Sequence, residues 1–516
     1  MRAAGYRRGG APAIPNTGYS TGDGKSPKMS AQMNKTDAET LHTPDPATGL
    51  LARLALRLTE WTERWVPDAF IFALVGTIVV VAAALVGTPA TPGQVVDAWG
   101  KGFWELIPFT LQMALIIITG HVLATSAPMG RAIRAVAAWP STPKGAVAMV
   151  TVFALVTSWF NWGFSLIFSA VLAREVARRV EGVDYRALAA ASFLGLGSIW
   201  AQGLSGSAAL QMASPGALQP EIRAIVAAGG LVPGGMIPLR HTIFLWQSFV
   251  SVFIEIIVVT WVMWLATPPA GRGRTARDLG IELGEREFNP PAPPAHPTPG
   301  AWLEHSPILT WLIVALGGTY LFRYFAQAAD PLNAITLNIV NFTFLLAGIF
   351  LHATPARLMH AVQAATPAVW GVILQFPFYA GMAGIITATH LNEQLAGAFV
   401  GISSPATFPP IVAIYSALLG VFVPSGGSKW VIEAPYVMAA AHELKVHLGW
   451  VVAAYDLGEA LANLVQPFWM LPILGMFKLG ARDVMGYTFL VFVALIPVVL
   501  ILVTGLGLTL GYPLWP

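Results

Sequence analysis

The stretch GAVAMVTVFALVTSWFNWGFSLIFSAVLA, residues 145–173, decides the fold of this chain, and it is apolar except for Asn161 and a few hydroxyls. Both of its flanks are basic: Arg131, Arg134 and Lys144 precede it, and Arg174, Arg178, Arg179 and Arg186 follow it. Short basic loops stay on the cytoplasmic side of a membrane, so one spanning helix cannot carry both flanks. Each arm, 145–158 or 163–173, is also shorter than the roughly 20 residues of a crossing. The sequence therefore predicts a re-entrant hairpin that enters and leaves from the cytoplasm.

The composition is that of an integral membrane protein. Of the 516 residues, 55% are hydrophobic and 11% are charged, whereas soluble domains carry about 25% charged residues. Apolar segments of spanning length recur from Val66 to the C-terminus. The chain has no cysteine, which excludes disulfides, thiolate metal sites and cysteine nucleophiles. The net charge of +3 is small and lies mostly in the tail and loops, so we expect no nucleic-acid partner.

The chain divides into four parts by composition. Residues 1–50 are rich in Gly, Pro, Ser and Thr without an apolar run, which predicts a disordered cytoplasmic tail and no signal peptide. A first membrane repeat covers 51–270. A cytoplasmic linker, rich in proline and arginine, covers 271–300. A second membrane repeat covers 301–516.

The two membrane parts repeat the same order of elements. Leu111-Gln112 falls on Leu374-Gln375, an offset of 263 residues, and apolar spans interrupted near residues 203 and 466 also coincide. A second hairpin at about 408–441 has flanks nearly free of basic residues, so it should enter from outside. An unmatched span at 307–325 makes the second copy start from the opposite face. We therefore predict an all-α polytopic membrane protein with an inverted-topology repeat, about nine spanning helices, two re-entrant hairpins and two broken helices. Such repeats bind substrate near the midplane.

Four segments resemble the short-chain fatty acid uptake family of the AtoE type. They are WFNWGFSLIFSAVLAREVARR (159–179), GSIWAQGLSGSAALQMASP (197–215), PSGGSKWVIEAPYVMAAA (424–441) and YDLGEALANLVQPFWMLPILG (455–475). The resemblance covers about 50–515 and extends to the ion transporter superfamily. It implies a multi-pass importer of acetoacetate- or butyrate-like monocarboxylates in a bacterial cytoplasmic membrane, with the N-terminus inside and a homodimeric assembly. The Ser-Asn-Thr tip motif of the sodium symporters in that superfamily is missing here.

A short-chain carboxylate has one anionic head and a short apolar tail, so its site needs few polar groups. The N-terminus of a hairpin's second arm offers unpaired N–H groups and a positive dipole end. We therefore expect substrate at both hairpin tips, with Trp159, Trp162 and Trp200 either walling the tail or anchoring at the lipid interface. Lys429 could pair with substrate, pair with an acid such as Glu433, or snorkel. The expected substrate-binding residues are Asn161, Gly163, Ser165, Ser425, Gly426, Gly427, Ser428 and Lys429.

Intramembrane acids are the candidates for energy coupling. Asp456 and Glu459 lie three residues apart on the second broken helix and share a face. They could bind a proton or, with backbone carbonyls at the break, a sodium ion; the alternative is an internal salt bridge with Lys429. No cofactor is expected beyond that co-transported H⁺ or Na⁺. The expected ion-coupling residues are Asp456, Glu459, Asn463, Ser205 and Ser207, with Glu255 and His121 as the next candidates.

Other functions fit the sequence less well. A carrier of di- or tricarboxylates or of amino acids would need a second anchoring group, and only one tip carries a lysine. An intramembrane enzyme would need a nucleophile–base set or a metal site, and neither is identifiable. A channel fits poorly, because broken helices with lone acids suit alternating access.

Overall fold

The computed structural model describes residues 69–214, 217–228, 235–269, 272–283, 294–295, 298–328, 331, 334–422, 426–466 and 468–512. Within those residues the regular secondary structure is helical throughout, as the all-α prediction requires. The predicted tail at 1–50 and the proline-rich part of the predicted linker, 284–293, lie outside the described residues.

The α-helices of the first half begin with α1 and end with α10. They are α1 Ala69–Gly87, α2 Pro92–Glu105, α3 Ile107–Ala124, α4 Ala127–Val136, α5 Pro143–Phe160, α6 Trp162–Ala177, α7 Tyr185–Leu194, α8 Ser207–Met212, α9 Pro220–Ala228 and α10 Trp246–Ala266.

The remaining helices belong to the second half. They are α11 Pro299–His305, α12 Ile308–Gln327, α13 Leu337–His352, α14 Pro355–Ala365, α15 Trp370–Ala388, α16 Leu391–Ile402, α17 Phe408–Phe422, α18 Gly426–Glu443, α19 Leu448–Asn463, α20 Leu471–Phe477 and α21 Ala481–Gly507.

Many of these helices have the length and composition of membrane spans. Among the described residues, seven helical segments are long and apolar enough to cross a bilayer: α3, α5, the segment Tyr185–Met212, α10, α12, α15 and α21. Three shorter apolar helices are Ala73–Gly87, Leu337–His352 and Phe408–Val421. These helices confirm a multi-pass membrane fold, and the number of about nine spans stays a prediction.

The order of elements in the first half recurs in the second. Helices α1 to α4, the hairpin α5/α6, the broken segment α7/α8 and α10 correspond to α13 to α16, the hairpin α17/α18, the broken segment α19/α20 and α21. The first pair of helices in each half packs on the other half: α1 and α2 lie against α15, and α13 and α14 lie against α3. The two halves are therefore interlocked.

A pair of equivalent glycines supports the repeat at the level of packing. A Cβ on Gly195 would lie 2.7 Å from the carbonyl carbon of Ala154, in the first arm of the first hairpin. A Cβ on Gly458 would lie 2.7 Å from the carbonyl carbon of Ala413, in the first arm of the second hairpin. Both broken segments thus meet their hairpins backbone to backbone, as small residues allow between membrane helices.

The first hairpin turns in a single residue. Asn161 adopts an extended backbone (φ −159°, ψ 119°), and its Oδ1 accepts a hydrogen bond from the Phe164 N–H at 2.8 Å. An asparagine in that position is a preferred helix N-cap, because its side chain satisfies one free N–H of the following helix. The cap ends α5 and begins α6, so the chain turns at the one amide in the apolar run. The entry of both arms from the cytoplasm stays a prediction.

The first broken segment loses helical geometry in steps. Helix α7 continues into a π-helical turn, Gly195–Ile199, and a 3₁₀ turn, Trp200–Gln202, before Gly203 becomes extended (φ −111°, ψ −175°). Helix α8 then starts at Ser207. Such departures from the α-helix commonly mark functional sites. The break predicted near residue 203 is therefore present.

The described part of the predicted linker is attached to the base of the first hairpin. Arg174 and Arg178 each donate a hydrogen bond to the carbonyl oxygen of Leu283, both at 2.7 Å. Within the linker, the N–H and the hydroxyl of Thr275 donate to the Asp278 carboxylate and lower its pKa. The segment after α10 is thus held beside α6.

Candidate functional site

The tip of the first hairpin docks on the first helix break. The Trp162 N–H donates to Ser205 Oγ at 2.9 Å, and the Leu204 N–H donates to the Trp159 carbonyl oxygen at 2.7 Å. Asn161 lies at the tip and is fully buried, and its Nδ2 has no hydrogen-bond partner among the described residues. The tip and the break therefore form one polar junction inside the apolar core.

Two of the residues predicted at the first tip, Ser165 and Gly163, make contacts that hold the hairpin together or pack it against α3. Ser165 Oγ donates to the Ala154 carbonyl oxygen at 2.7 Å and accepts from Thr157 Oγ1 at 3.0 Å, so its hydroxyl joins the two arms of the hairpin. Gly163 packs on α3, where an added Cβ would lie 3.4 Å from the Ile116 carbonyl oxygen. Neither residue lines the cleft described below.

The second hairpin brings its tip to the same place from the other half. A Cβ on Gly426 would lie 2.8 Å from Cη2 of Trp200, and one on Gly427 would lie 3.2 Å from Cβ of Ser207. The Tyr455 hydroxyl donates to the Gly426 carbonyl oxygen at 2.5 Å. Among the predicted tip residues, Ser425 lies outside the described residues, as does the side chain of Ser428.

A narrow cleft lies where the two tips and the first break meet. None of its eleven described lining residues carries a charge, and tryptophans and aliphatic side chains dominate. The indole N–H groups of Trp162 and Trp200 are buried and have no hydrogen-bond partner within the described part of the chain. The lining residues are Met113, Ile117, Trp162, Leu196, Trp200, Ser207, Val372, Phe376, Gly426, Gly427 and Trp469.

The cleft has the two features that a small amphiphilic anion needs. Helix α18 begins at Gly426, so the backbone N–H groups of its first turn and the positive end of its dipole lie at the cleft. The rest of the wall is apolar and aromatic. An anionic head would meet hydrogen-bond donors at the helix terminus, and a short hydrocarbon tail would meet the tryptophans.

A cluster of charged residues lies behind the second tip. Lys429, Glu433, Asp456 and Glu459 are each at most 2% exposed. Lys429 Nζ forms a close ion pair with Glu459 Oε2 and lies 3.7 Å from Glu433 Oε1. Three acids and one lysine thus share an enclosed apolar site, where ionisable groups survive only when they are paired or neutral.

Lys429 also joins both arms of the second hairpin to the second broken helix. Its ammonium donates to the carbonyl oxygen and to the hydroxyl of Ser416 on α17, the latter at 2.6 Å, and lies 4.8 Å from the centre of the Tyr455 ring. Gly420 leaves room for the pair, because a Cβ there would lie 3.0 Å from Glu459 Oε2. Of the alternatives for Lys429, this conformation contains the salt bridge with Glu459.

The other predicted ion-coupling residues are distributed over the two breaks. Asn463 Nδ2 donates to the Leu196 carbonyl oxygen at 3.2 Å, which ties the end of α19 to the first broken segment. Ser205 accepts from the first tip, and Ser207 faces Gly427 in the cleft. Asp456 is buried on α19, one turn before Glu459. These side chains therefore surround the tips without converging on one point.

Sequence reasoning missed two partners of the buried charges. Ser416 binds Lys429 from the opposite hairpin arm, and Gln202 donates to Glu255 at 2.8 Å across 53 residues of chain. Neither contact can be recognised from the local sequence, because each joins residues on separate helical segments. The Lys429–Glu433 proximity, in contrast, has the i,i+4 spacing of a helical pair and was readable.

Comparisons with known proteins show which family this chain belongs to. The short chain fatty acid transporter family matches residues 50–509. A provisionally named short-chain fatty acid transporter of Escherichia coli K12 is 39% identical over 440 residues, covering 85% of this chain and 96% of the relative. A relative with the same provisional name in Haemophilus influenzae is 35% identical over 447 residues, covering 86% and 98%.

Two solved structures share the fold at low sequence identity. The YdaH transporter of Alcanivorax borkumensis, described as having an unusual topology, superposes with a TM-score of 0.53 and 14% identity, covering 87% of this chain and 100% of that one. MtrF of Neisseria gonorrhoeae, described with a class of antimetabolite efflux pumps, gives 0.55 and 14%, covering 86% and 97%.

The family match decides between a transporter and an enzyme. The matched family and both sequence relatives are transporters, which confirms the family resemblance and the expectation that the chain is not an enzyme. The apolar helices agree with the multi-pass membrane location of such proteins. The match covers both hairpins, both breaks and the cleft between them, and on that evidence the chain belongs to the short-chain fatty acid transporter family.

Proposed function

We propose that this protein imports short-chain monocarboxylates across the cytoplasmic membrane by alternating access, driven by a co-transported cation. The observation that carries the proposal is the uncharged cleft at which the N-terminus of α18 meets the Trp162 and Trp200 side chains. One helix terminus provides one anion site. A second carboxylate would have to enter an apolar wall, which favours monocarboxylates over the di- and tricarboxylate alternative.

The charged cluster behind the second tip supports cation coupling. An anion moving inward against an inside-negative potential faces about 2.3 kcal/mol per charge per 100 mV. One accompanying cation cancels that term, and its own gradient then drives accumulation. Glu459 is the proposed coupling residue, because it touches the tip lysine and packs beside Gly426. Asp456 lies on the same helix and is proposed as its auxiliary.

The membrane topology and assembly belong to the same proposal. We place the N-terminus and the base of the first hairpin in the cytoplasm, with the second hairpin entering from outside in an inverted repeat. The basic flanks of 145–173 support this orientation. A homodimer is proposed from the superfamily resemblance.

Uptake into proteoliposomes tests the transport proposal. Labelled butyrate should accumulate when a sodium or proton gradient is imposed, and citrate should not. Accumulation of citrate at a comparable rate would favour the polycarboxylate alternative. The two gradients, imposed separately, identify the coupling ion.

Cysteine labelling tests the topology. The chain has no native cysteine, so Ser141→Cys and Glu181→Cys, both at exposed positions on either side of the first hairpin, give single reactive sites. Both should react with an impermeant maleimide only from the cytoplasmic side. Labelling of one of them from outside would overturn the cytoplasmic hairpin.

A further inference from the structure

A second buried acid lies in the first half and is separate from the Lys429 cluster. Glu255 is in the middle of α10 and is 1% exposed. Gln202, at the end of the 3₁₀ turn of the first break, donates from Nε2 to Glu255 Oε1 at 2.8 Å. Within the described residues, no basic side chain forms an ion pair with Glu255. A carboxylate held by a single neutral donor in an apolar core is unfavourable.

The amide of Gln202 lacks a hydrogen-bond donor for its oxygen. Its Oε1 atom is buried and has no hydrogen-bond partner among the described residues. A carboxylate can only accept hydrogen bonds, whereas a protonated carboxyl group also donates one. A protonated Glu255 would therefore satisfy Gln202 Oε1 while it accepts from Nε2. The acid and the amide then form a two-bond pair in which both groups are neutral.

We propose that Glu255 is a proton-binding site, occupied in this conformation, and that its protonation holds the first helix break in place. The transport consequence of this proton rests on the proposed cation-coupled uptake. The assignment goes beyond that proposal in two ways. It names the proton as a coupling ion, and it places the proton site in the first half, where the described residues include no buried lysine.

The charged neighbours of α10 leave Glu255 without an ionic partner. Helices α5, α7 and α21 pack against α10. Lys144 Nζ lies 4.6 Å from the Trp264 ring, nine residues along α10 from Glu255 and so about 13 Å away at 1.5 Å per residue. Arg186 pairs with Asp184 at 3.1 Å. The titratable residues on these three helices, all in the first two turns, are Lys144, Tyr185, Arg186, Arg482, Asp483 and Tyr487.

The Gln202–Glu255 pair is connected to the cleft by three consecutive residues of the break. After Gln202 and Gly203, the Leu204 N–H donates to the Trp159 carbonyl oxygen and Ser205 Oγ accepts from the Trp162 N–H. Trp162 then lines the cleft. Loss of the proton removes one bond of the pair and places an anion against the amide oxygen. The break must then shift, and the first tip shifts with it.

Difference infrared spectroscopy of the reconstituted protein tests the proton directly. The carbonyl stretch of a protonated carboxylic acid should be present at neutral pH in the parent and lost in Glu255→Gln. Gln202→Ala should shift that band to the frequency of a less hydrogen-bonded acid. Glu221→Gln, at an exposed position on α9, is the matched control and should leave the band unchanged. No band difference between parent and Glu255→Gln would show an ionised Glu255 and overturn the proposal.

A pH series of butyrate uptake tests the coupling. Uptake by the parent should fall as the outside pH rises, because the deprotonated carrier lacks its proton. Glu255→Gln, which keeps a neutral amide beside Gln202, should flatten this dependence, and an unchanged pH profile would overturn the coupling role. If Glu255→Gln does not fold, Glu255→Asp should move both the band and the profile, and no movement in either would also overturn the proposal. An inactive parent would refute the transport proposal alone, since the infrared band reports protonation without transport.

Discussion

The two hairpins occupy equivalent places in the repeat but are held by different chemistry. The first is joined by neutral groups: the Asn161 cap, the Ser165 hydroxyl and the bond from Trp162 to Ser205. The second is joined by the buried charges of Lys429 and Glu459. Because a buried charge depends strongly on its partner, the second hairpin should be the more sensitive to ions and to substitution.

This difference suggests a division of labour between the tips. The first tip is held by neutral hydrogen bonds, so we expect its shape to depend little on ions bound in the second half and to respond to Glu255 through the helix break. The second tip contributes the helix N-terminus at the cleft and lies directly against the charged cluster. Substrate binding and ion binding should therefore be coupled most tightly at the second hairpin.

Removal of the Lys429 charge should have the largest effect. Lys429→Met leaves Glu459 and Glu433 buried without a cation, which should cost about 3–5 kcal/mol of stability. The double variant Lys429→Met/Glu459→Gln should recover part of that stability, because it removes both members of the close ion pair and leaves only Glu433 without its cation. Thermal unfolding in detergent measures both. Equal stability of Lys429→Met and the parent would remove the contrast between the hairpins.

Neutralising Glu459 should separate binding from energy coupling. Glu459→Gln should keep substrate exchange, because Lys429 retains Ser416 and Glu433, but it should lose gradient-driven accumulation. The loss corresponds to the concentration gradient of the coupled ion, because one cation per anion cancels the membrane potential: a tenfold ion gradient, about 1.4 kcal/mol, supports about tenfold accumulation. Asp456→Asn should be similar or weaker. Counterflow and net uptake in the same proteoliposomes measure the two quantities. If both variants concentrate butyrate like the parent, coupling lies elsewhere, with Glu255 as the next candidate.

A side chain at the second tip should block the cleft. In Gly427→Val the Cβ would lie 3.2 Å from Ser207 Cβ and 3.4 Å from Phe109 Cζ. Such overpacking costs about 1–3 kcal/mol, so uptake should fall about tenfold or more with expression retained. Gly397→Val on α16 is the control, because a Cβ there meets no atom within 4 Å. Parent-like kinetics in Gly427→Val would move the substrate away from this tip.

Loss of the cap at the first tip should have the smallest effect. Asn161→Ala removes the acceptor for the Phe164 N–H and should cost about 1 kcal/mol, whereas Asn161→Ser should retain a neutral cap. Unfolding temperatures and the apparent substrate constant measure the effect. A loss as large as that of Lys429→Met would mean that the first tip also contains a buried interaction as strong as an ion pair.

The sequence predicted the parts of this fold that depend on local patterns. The first hairpin and its turn follow from basic flanks and a single asparagine, and the structure turns at that residue. Gly458 follows Gly195 at the same offset of 263 residues that relates Leu111 to Leu374, and both glycines make the same backbone contact. The hairpins' entry from opposite sides of the membrane stays a prediction.

The sequence predicted which types of residue lie near the site, but not which contacts each of them makes. Ser165 and Gly163 have the polarity and size of ligand-binding residues, but they lie between the arms and against α3. Trp162 and Trp200 were left open between a substrate wall and a lipid anchor, and both line the cleft. A side chain's role depends on what faces it, and at these positions the facing group belongs to another helix.

The sequence by itself determined the membrane class, the two-fold order of helices, the positions of the tips and breaks, and the family. These features arise from apolar run length, charge placement and residues such as asparagine and glycine that act on their own backbone. Only the tertiary structure decided that Lys429 pairs with Glu459 while Gln202 meets Glu255, and that both tips share one cleft. In an apolar core an unpaired polar group is costly, and the packing of the helices decides which partner it meets, across tens or hundreds of residues of chain.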